Sequence, residues 1–224
     1  MIKNISNLGD AALYCDFGIE VNKETNSKVI KYFKSIKEKN IEGITNLTPS
    51  YNKLIISFDL KITNFRELKG IVENLDANEK QERLTNKIEI PVCCDTPFAP
   101  DIERMEKKLS SNRDKIYKNF FDKDYFCYMT GFIAGMPFLG DLDKSMRVKR
   151  LETPRVKVPK GSVGLTEQFA NIYTFESPGG WNIIGNTPLK VFDSSKTDSP
   201  NLINPGDTVK FKQISLTDYK NFNE

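Results

Sequence analysis

Histidine is absent from all 224 residues of this chain. That absence excludes Ser-His-Asp and Cys-His nucleophilic catalysis within it. It also removes the imidazole that many zinc sites use. Proton transfer would fall to Asp, Glu, Lys, Tyr or Cys, or to another chain. Cysteine is sparse: Cys15, Cys93, Cys94 and Cys127, with no CxxC. Adjacent Cys93 and Cys94 suit neither an ordinary structural disulfide nor zinc spacing, so we read a reduced, cytoplasmic protein without a metal site. No run approaches ~18 consecutive apolar residues, so no membrane span is expected. The opening MIKNISNLGD lacks the apolar core of a signal peptide. No segment reads GxxxxGK followed by Ser or Thr, so there is no P-loop. Asp16-Phe17-Gly18 spells the kinase DFG triplet, but no glycine-rich loop or HRD accompanies it. We read it as a strand end turning at Gly18. Excess charge is missing too. The net charge is +3, the lysines are mixed with acids, and no basic stripe alternates with stacking aromatics. Nucleic acid is therefore not expected as a partner.

What is present suffices for real cores: 15 Phe and 8 Tyr in a chain long enough for one large domain or two small ones. Ala11 to Phe17 alternates as a strand. Asn22 caps a helix running to about Lys39, with Val29, Phe33 and Ile36 on one face and Ile30 beside them. Ile41 to Leu47 and Lys53 to Phe58 read as strands. Asn64 caps a second helix with Glu67 placed for a capping box, and Phe65, Leu68, Ile71, Val72 and Leu75 form its buried stripe. Ile88, Ile90 and Val92 begin another strand. The order β-α-β-β-α-β predicts a ferredoxin-like split βαβ unit over roughly the first 92 residues. The polar run Asp76 to Lys87 is the expected exposed connection, giving domains 1–85 and 86–224. Pro100 starts a short helix through Leu109, Asn112 to Phe121 is a second, and Tyr125 to Thr130 is an aromatic strand.

The stretch Thr153 to Asp193 organises the rest. Prolines 154, 159, 178 and 188 and glycines 161, 164, 179, 180 and 185 punctuate it. Between them lie Val156 to Val158, Ile172 to Phe175, Trp181 to Ile184 and Leu189 to Phe192, each with β character. Closely spaced strands with Gly/Pro turns read as a compact β-barrel or sandwich. Gly179 and Gly180 are expected where the backbone needs positive φ or close approach, with Trp181 packed behind the turn.

The residues PRVKVPKGSV, then Gln168, Ile172-Tyr173, SPGGWNIIGNTP and LKVFD resemble the B-subunit family of 5-oxoprolinase. That family is also called allophanate hydrolase subunit 1, and it includes the kinase-inhibitor protein KipI. Gly131 to Gly140 looks like its GFxPGFxYLG segment, Pro205 to Val209 with Phe211 like its PGDxVxF, and Leu8 to Leu13 like its GDxAL signature. The order matches over nearly the whole chain. The resemblance implies an α+β protein with a cyclophilin-like β-barrel as its second domain. It implies a non-autonomous subunit of an ATP-dependent 5-oxoprolinase, working with an allophanate hydrolase subunit 2-type protein and a LamB/YcsF-type subunit. Its alternatives are inhibition of a sensor histidine kinase and subunit 1 of a urea-linked allophanate hydrolase. Departures stand at Ala134, Met136, Phe138, Glu167 and Asn186, and near Asn119-Phe120, where many members carry a histidine.

Within that resemblance, Arg155, Gln168, Tyr173 and Thr187 are the candidate substrate contacts. A guanidinium fork suits a carboxylate, although Arg155 reads somewhat better as half of a surface or inter-strand ion pair, with a nearby acid such as Glu152 or Asp193. Asp141, Asp143, Glu152 and Glu167 are the nearby carboxylates, and their spacing marks no catalytic pair. Phe132, Met136 and Phe138 read as a pocket wall, a partner-binding ridge, or a buried hairpin at a barrel mouth.

Overall fold

The computed structural model describes residues 2–75 and 86–222, which fall into two compact units, Met1–Leu84 and Thr85–Glu224. Most of the expected connection, residues 76–85, lies outside the described residues.

The first unit runs β1 (Asn4–Asn7), β2 (Ala12–Asp16), α1 (Lys23–Lys39), β3 (Ile44–Pro49), β4 (Lys53–Phe58) and α2 (Phe65–Glu73). Its sheet order is β1-β2-β4-β3, every pair antiparallel. The split unit is therefore present, with β4 inserted between β2 and β3. The closing strand is not the expected one. Asn4–Asn7 pairs with β2, while Ile88 to Val92 belongs to the second unit. Helix α1 starts as its sequence dictates, with Asn22 Oδ1 accepting from Thr25 N at 2.9 Å. At α2 only half of the capping box forms. Asn64 Oδ1 accepts from Glu67 N, but the Glu67 carboxylate takes the Thr63 hydroxyl. Ile71 of the expected buried stripe is exposed, whereas Leu68, Val72 and Leu75 join Leu13, Cys15, Leu54 and Ile56 in the core.

The second unit runs β5 (Lys87–Cys93), α3 (Ile102–Leu109), α4 (Arg113–Phe121), β6 (Asp124–Thr130), β7 (Pro137–Gly140), β8 (Arg155–Val158), β9 (Ser162–Thr166), β10 (Phe169–Ile172), β11 (Ser177–Gly179), β12 (Asn182–Asn186), β13 (Thr208–Ile214) and α5 (Leu216–Lys220). Seven strands close a barrel in the order β10-β7-β6-β13-β5-β12-β9, and β11 and β8 form a separate ribbon. The expected barrel-or-sandwich thus resolves as a closed barrel, which leaves no open sheet edge among its seven strands. Strand β5 is held by a seven-residue parallel ladder to β13, which explains why its apolar alternation serves this barrel rather than the first sheet. Phe120 stacks on Phe211 with ring centroids 4.7 Å apart, tying α4 to β13. The run Leu189 to Phe192 forms no strand beyond an isolated bridge from Phe192 to Asn201.

Candidate functional site

The polar centre of the second unit is built around Tyr173, just beyond β10. Its side chain is buried, and a Cβ on Gly179 would collide with its hydroxyl. Gly179 is therefore required by close approach. Neither it nor Gly180 has positive φ, which corrects one of the two expected reasons for these glycines. Burial pushes the Tyr173 phenol up. The Asn171 amide, the Trp181 backbone, and the Arg150 and Arg155 guanidiniums oppose that shift. At neutral pH the hydroxyl keeps its proton.

Arg155 opens β8 and lies opposite Gly179 in the ribbon. Its Nη2 donates to Asp101 Oδ1 at 2.6 Å. The structural alternative named Glu152 or Asp193, and neither is its partner in that bond. Asp193 instead pairs with Lys190 and accepts from Ser195. Arg155 Nη1 is buried with no hydrogen-bond partner among the described residues, as are Asn171 Oδ1 and Ser177 Oγ. Unmet polar atoms in a folded interior are uncommon, and each costs about 1–3 kcal/mol. Arg150 runs past Gly180, its guanidinium 3.1 Å from where a Cβ would stand. Trp181 meets Phe138 edge-on at 5.6 Å, above a small cluster of Met136, Val158, Tyr173 and Ile183.

The other candidates fall elsewhere. Gln168 Nε2 donates to Asp141 Oδ1 at 3.2 Å, and the Tyr128 hydroxyl donates to the same carboxylate at 2.9 Å. That is a second polar group, built on a different carboxylate from the one that holds Arg155. Thr187 is buried in a turn, its N–H donating to Gly161 O and its hydroxyl accepting from Leu189 N. The segment Gly131 to Gly140 is the hairpin joining β6 and β7, closed by Gly131 N donating to Met136 O at 3.0 Å. Phe132 is 71% exposed, whereas Met136 is buried and unable to face a partner. Among the described residues no group of His, Cys, Asp and Glu could hold a metal ion, and no helix is long and apolar enough to cross a membrane.

Sequence reasoning missed Asp101, Arg150 and Asn171. Asp101 follows Pro100 at the start of a helix and reads as an ordinary cap. Arg150 stands in a mixed-charge link. Asn171 occupies a strand position where an apolar residue is the usual occupant.

The family model "Carboxyltransferase domain, subdomain C and D" matches residues 3–203. The chain belongs to that family, in the 5-oxoprolinase B-subunit group. It is 32% identical to the 5-oxoprolinase B subunit of Bacillus subtilis, over 98% of this chain and 96% of that protein. It is 31% identical to the protein of the same name from Haemophilus influenzae, over 93% of this chain and 96% of that one. Among solved structures, TTHA0988 superposes with a TM-score of 0.82 at 26% identity, over 92% of this chain but 41% of that one.

Proposed function

We propose that this chain is a non-autonomous subunit of an ATP-dependent 5-oxoprolinase, converting 5-oxoproline, ATP and water to glutamate, ADP and phosphate. The observation that carries this reading is the unpartnered Nη1 of Arg155, a residue that lies opposite Gly179 in the ribbon, where the missing side chain leaves room for the Tyr173 hydroxyl. 5-Oxoproline offers one carboxylate, and a guanidinium nitrogen is its natural donor.

The lactam is a resonance-stabilised amide, and coupling its opening to ATP supplies driving force and a better leaving group. Two places where a phosphate could be sought are unsuited to it. The glycine-containing hairpin bonds to itself, and Asp101 places a negative charge at the start of α3, where a phosphate would need the opposite. We assign the ATP step to an allophanate hydrolase subunit 2-type partner, with a LamB/YcsF-type subunit in the same complex. Exposed Phe132 is the side chain of its hairpin best placed to meet a partner. Arg155 and Tyr173 would hold and orient the acid.

Trp181 is the one tryptophan in the chain, so its emission reports directly on this site. Titrating 5-oxoproline into the purified chain should shift Trp181 fluorescence saturably, while ATP-dependent glutamate release should require the partner. Glutamate release by the chain alone, or a flat titration with both free chain and complex, would overturn the proposal.

A further inference from the structure

Asp101 occupies the N-cap position of α3, where a carboxylate ordinarily accepts from the helix's own first-turn amides. Here it makes no such bond. Both oxygens turn away from the helix. Oδ1 accepts from Arg155 Nη2 at 2.6 Å, and Oδ2 accepts from Ile183 N at 2.7 Å. The backbone of Asp101 closes the clamp, its N–H donating to Ile183 O at 3.2 Å. The side chain is 5% exposed, against 31% for Arg155. A buried carboxylate is costly unless paired and hydrogen-bonded, and this one is fixed by a β12 backbone amide.

The clamp on Ile183 ties α3 to β12, and Arg104 adds a second tie by donating to Asn182 Oδ1. The bond to Arg155 also acts on the arginine. With Nη2 held, one end of the guanidinium is fixed, and the unpartnered Nη1 belongs to a residue set opposite Gly179, the glycine that makes room for the Tyr173 hydroxyl.

We propose that Asp101 is a positioning residue, gripping Nη2 of Arg155 so that the remaining face of the guanidinium is preset for the carboxylate of a monoanionic cyclic-amide acid. This rests on the reading of Arg155 as the carboxylate contact. Asp101 itself touches no substrate. Its contribution is preorganisation, which strengthens binding by sparing the arginine an ordering step when the ligand arrives.

The test is a double-mutant cycle in the assembled complex, with KM and kcat for 5-oxoproline measured for Asp101→Asn, Arg155→Lys and both together. Each single variant should raise KM about tenfold, as loss of one charge-assisted hydrogen bond does, with a smaller change in kcat. The double variant should be no worse than Arg155→Lys alone, because Asp101 acts through that side chain. Trp181 titrations on the full chain give the same comparison without the partner. If Arg155→Lys raises KM and Asp101→Asn does not, Asp101 is only a fastening of α3, and the positioning proposal falls while the Arg155 reading stands. If neither variant changes KM, the Arg155 reading falls and takes this inference with it. Should Asp101→Asn fail to fold, Asp101→Glu, which keeps the charge and moves it by one methylene, carries the same outcomes.

Discussion

The two units bury polarity differently. In the first, the buried polar residues among those described are Asn26 and Asn52. Both direct their amide N–H groups to backbone carbonyls, Asn26 to Ser50 and Tyr51 and Asn52 to Gly18. They lock turns. In the second unit nine described polar or charged residues are buried, including Asp101, Asn171, Ser177, Asn182 and Thr187. Asn171 and Ser177 each keep an oxygen that no described protein group satisfies. A groove of about 310 Å³ lies in the first unit, between Phe33, Ile36, Ile41, Ile44 and Leu47, with Lys37 as its charged lining residue. Arg155, Asn171 and Ser177 keep unmet hydrogen-bonding atoms in the second unit, whereas the groove of the first is lined by apolar residues together with Lys37, Asn40, Thr45 and Asn46.

The comparison breaks most visibly through the core of the first unit. Leu54 is fully buried on β4. Leu54→Ala should lower stability by about 3 kcal/mol, through lost burial and the cavity left behind. The response of Trp181 to 5-oxoproline should survive at temperatures where the variant is folded. A urea melt with a parallel titration checks both. A lost response in folded protein would show that the first unit does more than pack.

A smaller change should do more harm to binding in the second unit. Gly179→Ala drives a methyl group into the Tyr173 hydroxyl, so the ring or the ribbon must move. Overpacking of this kind costs about 1–3 kcal/mol, and the ligand response at Trp181 should vanish with it. Gly180→Ala is the contrasting control. Gly180 is buried too, but its nearest neighbours are the flexible end of Arg150, which can give way, so the loss should be under about 1 kcal/mol and smaller than for Gly179→Ala. Equal losses from both substitutions would remove the distinction between them.

How far the sequence discloses this architecture follows the same division. Caps and periodicity are local, so α1 and α2 are readable from Asn22 and Asn64 and from the spacing of Val29, Ile36, Leu68 and Val72. The family resemblance in the Gly/Pro-rich stretch discloses the barrel. Strand partnership is not local. Asn4–Asn7 has a single buried residue, Ile5, and too little alternation to announce a strand. Ile88 to Val92 alternates well, but alternation says only that one face is buried, not which sheet receives it. Of the four expected contacts, Arg155 and Tyr173 come together, whereas Gln168 pairs with Asp141 and Thr187 fixes a turn. The residue that holds Arg155 lies 54 positions away in sequence. No pattern links Asp101 to it, because the link is a carboxylate declining its helix.

The smallest expected effect concerns an ion pair of the first unit and its response to acid. Lys53 Nζ lies 2.6 Å from Asp16 Oδ1, with about a third of the Asp16 side chain exposed. The hydrogen bond from Lys53 holds the Asp16 carboxyl below the usual carboxylate range, helped by the Gly18 backbone amide and opposed by modest burial. A carboxyl whose folded pKa is depressed adds stability above its unfolded pKa, near ~3.9 for Asp. That stability is lost as pH falls through the lower folded value. Thermal melts of the parent should therefore decline below about pH 4, and part of that decline belongs to this pair. Asp16→Asn removes the titrating group, so the variant should be slightly less stable at pH 7 and should converge on the parent in acid. Exposure to solvent keeps the difference small, as for other surface pairs. The ligand response at Trp181 should be unchanged at pH 7, since Asp16 and Trp181 belong to different units. A gap between variant and parent that stays constant from about pH 7 to about pH 3, across the ordinary Asp range, would show that Asp16 acts through the Gly18 turn and not through its charge.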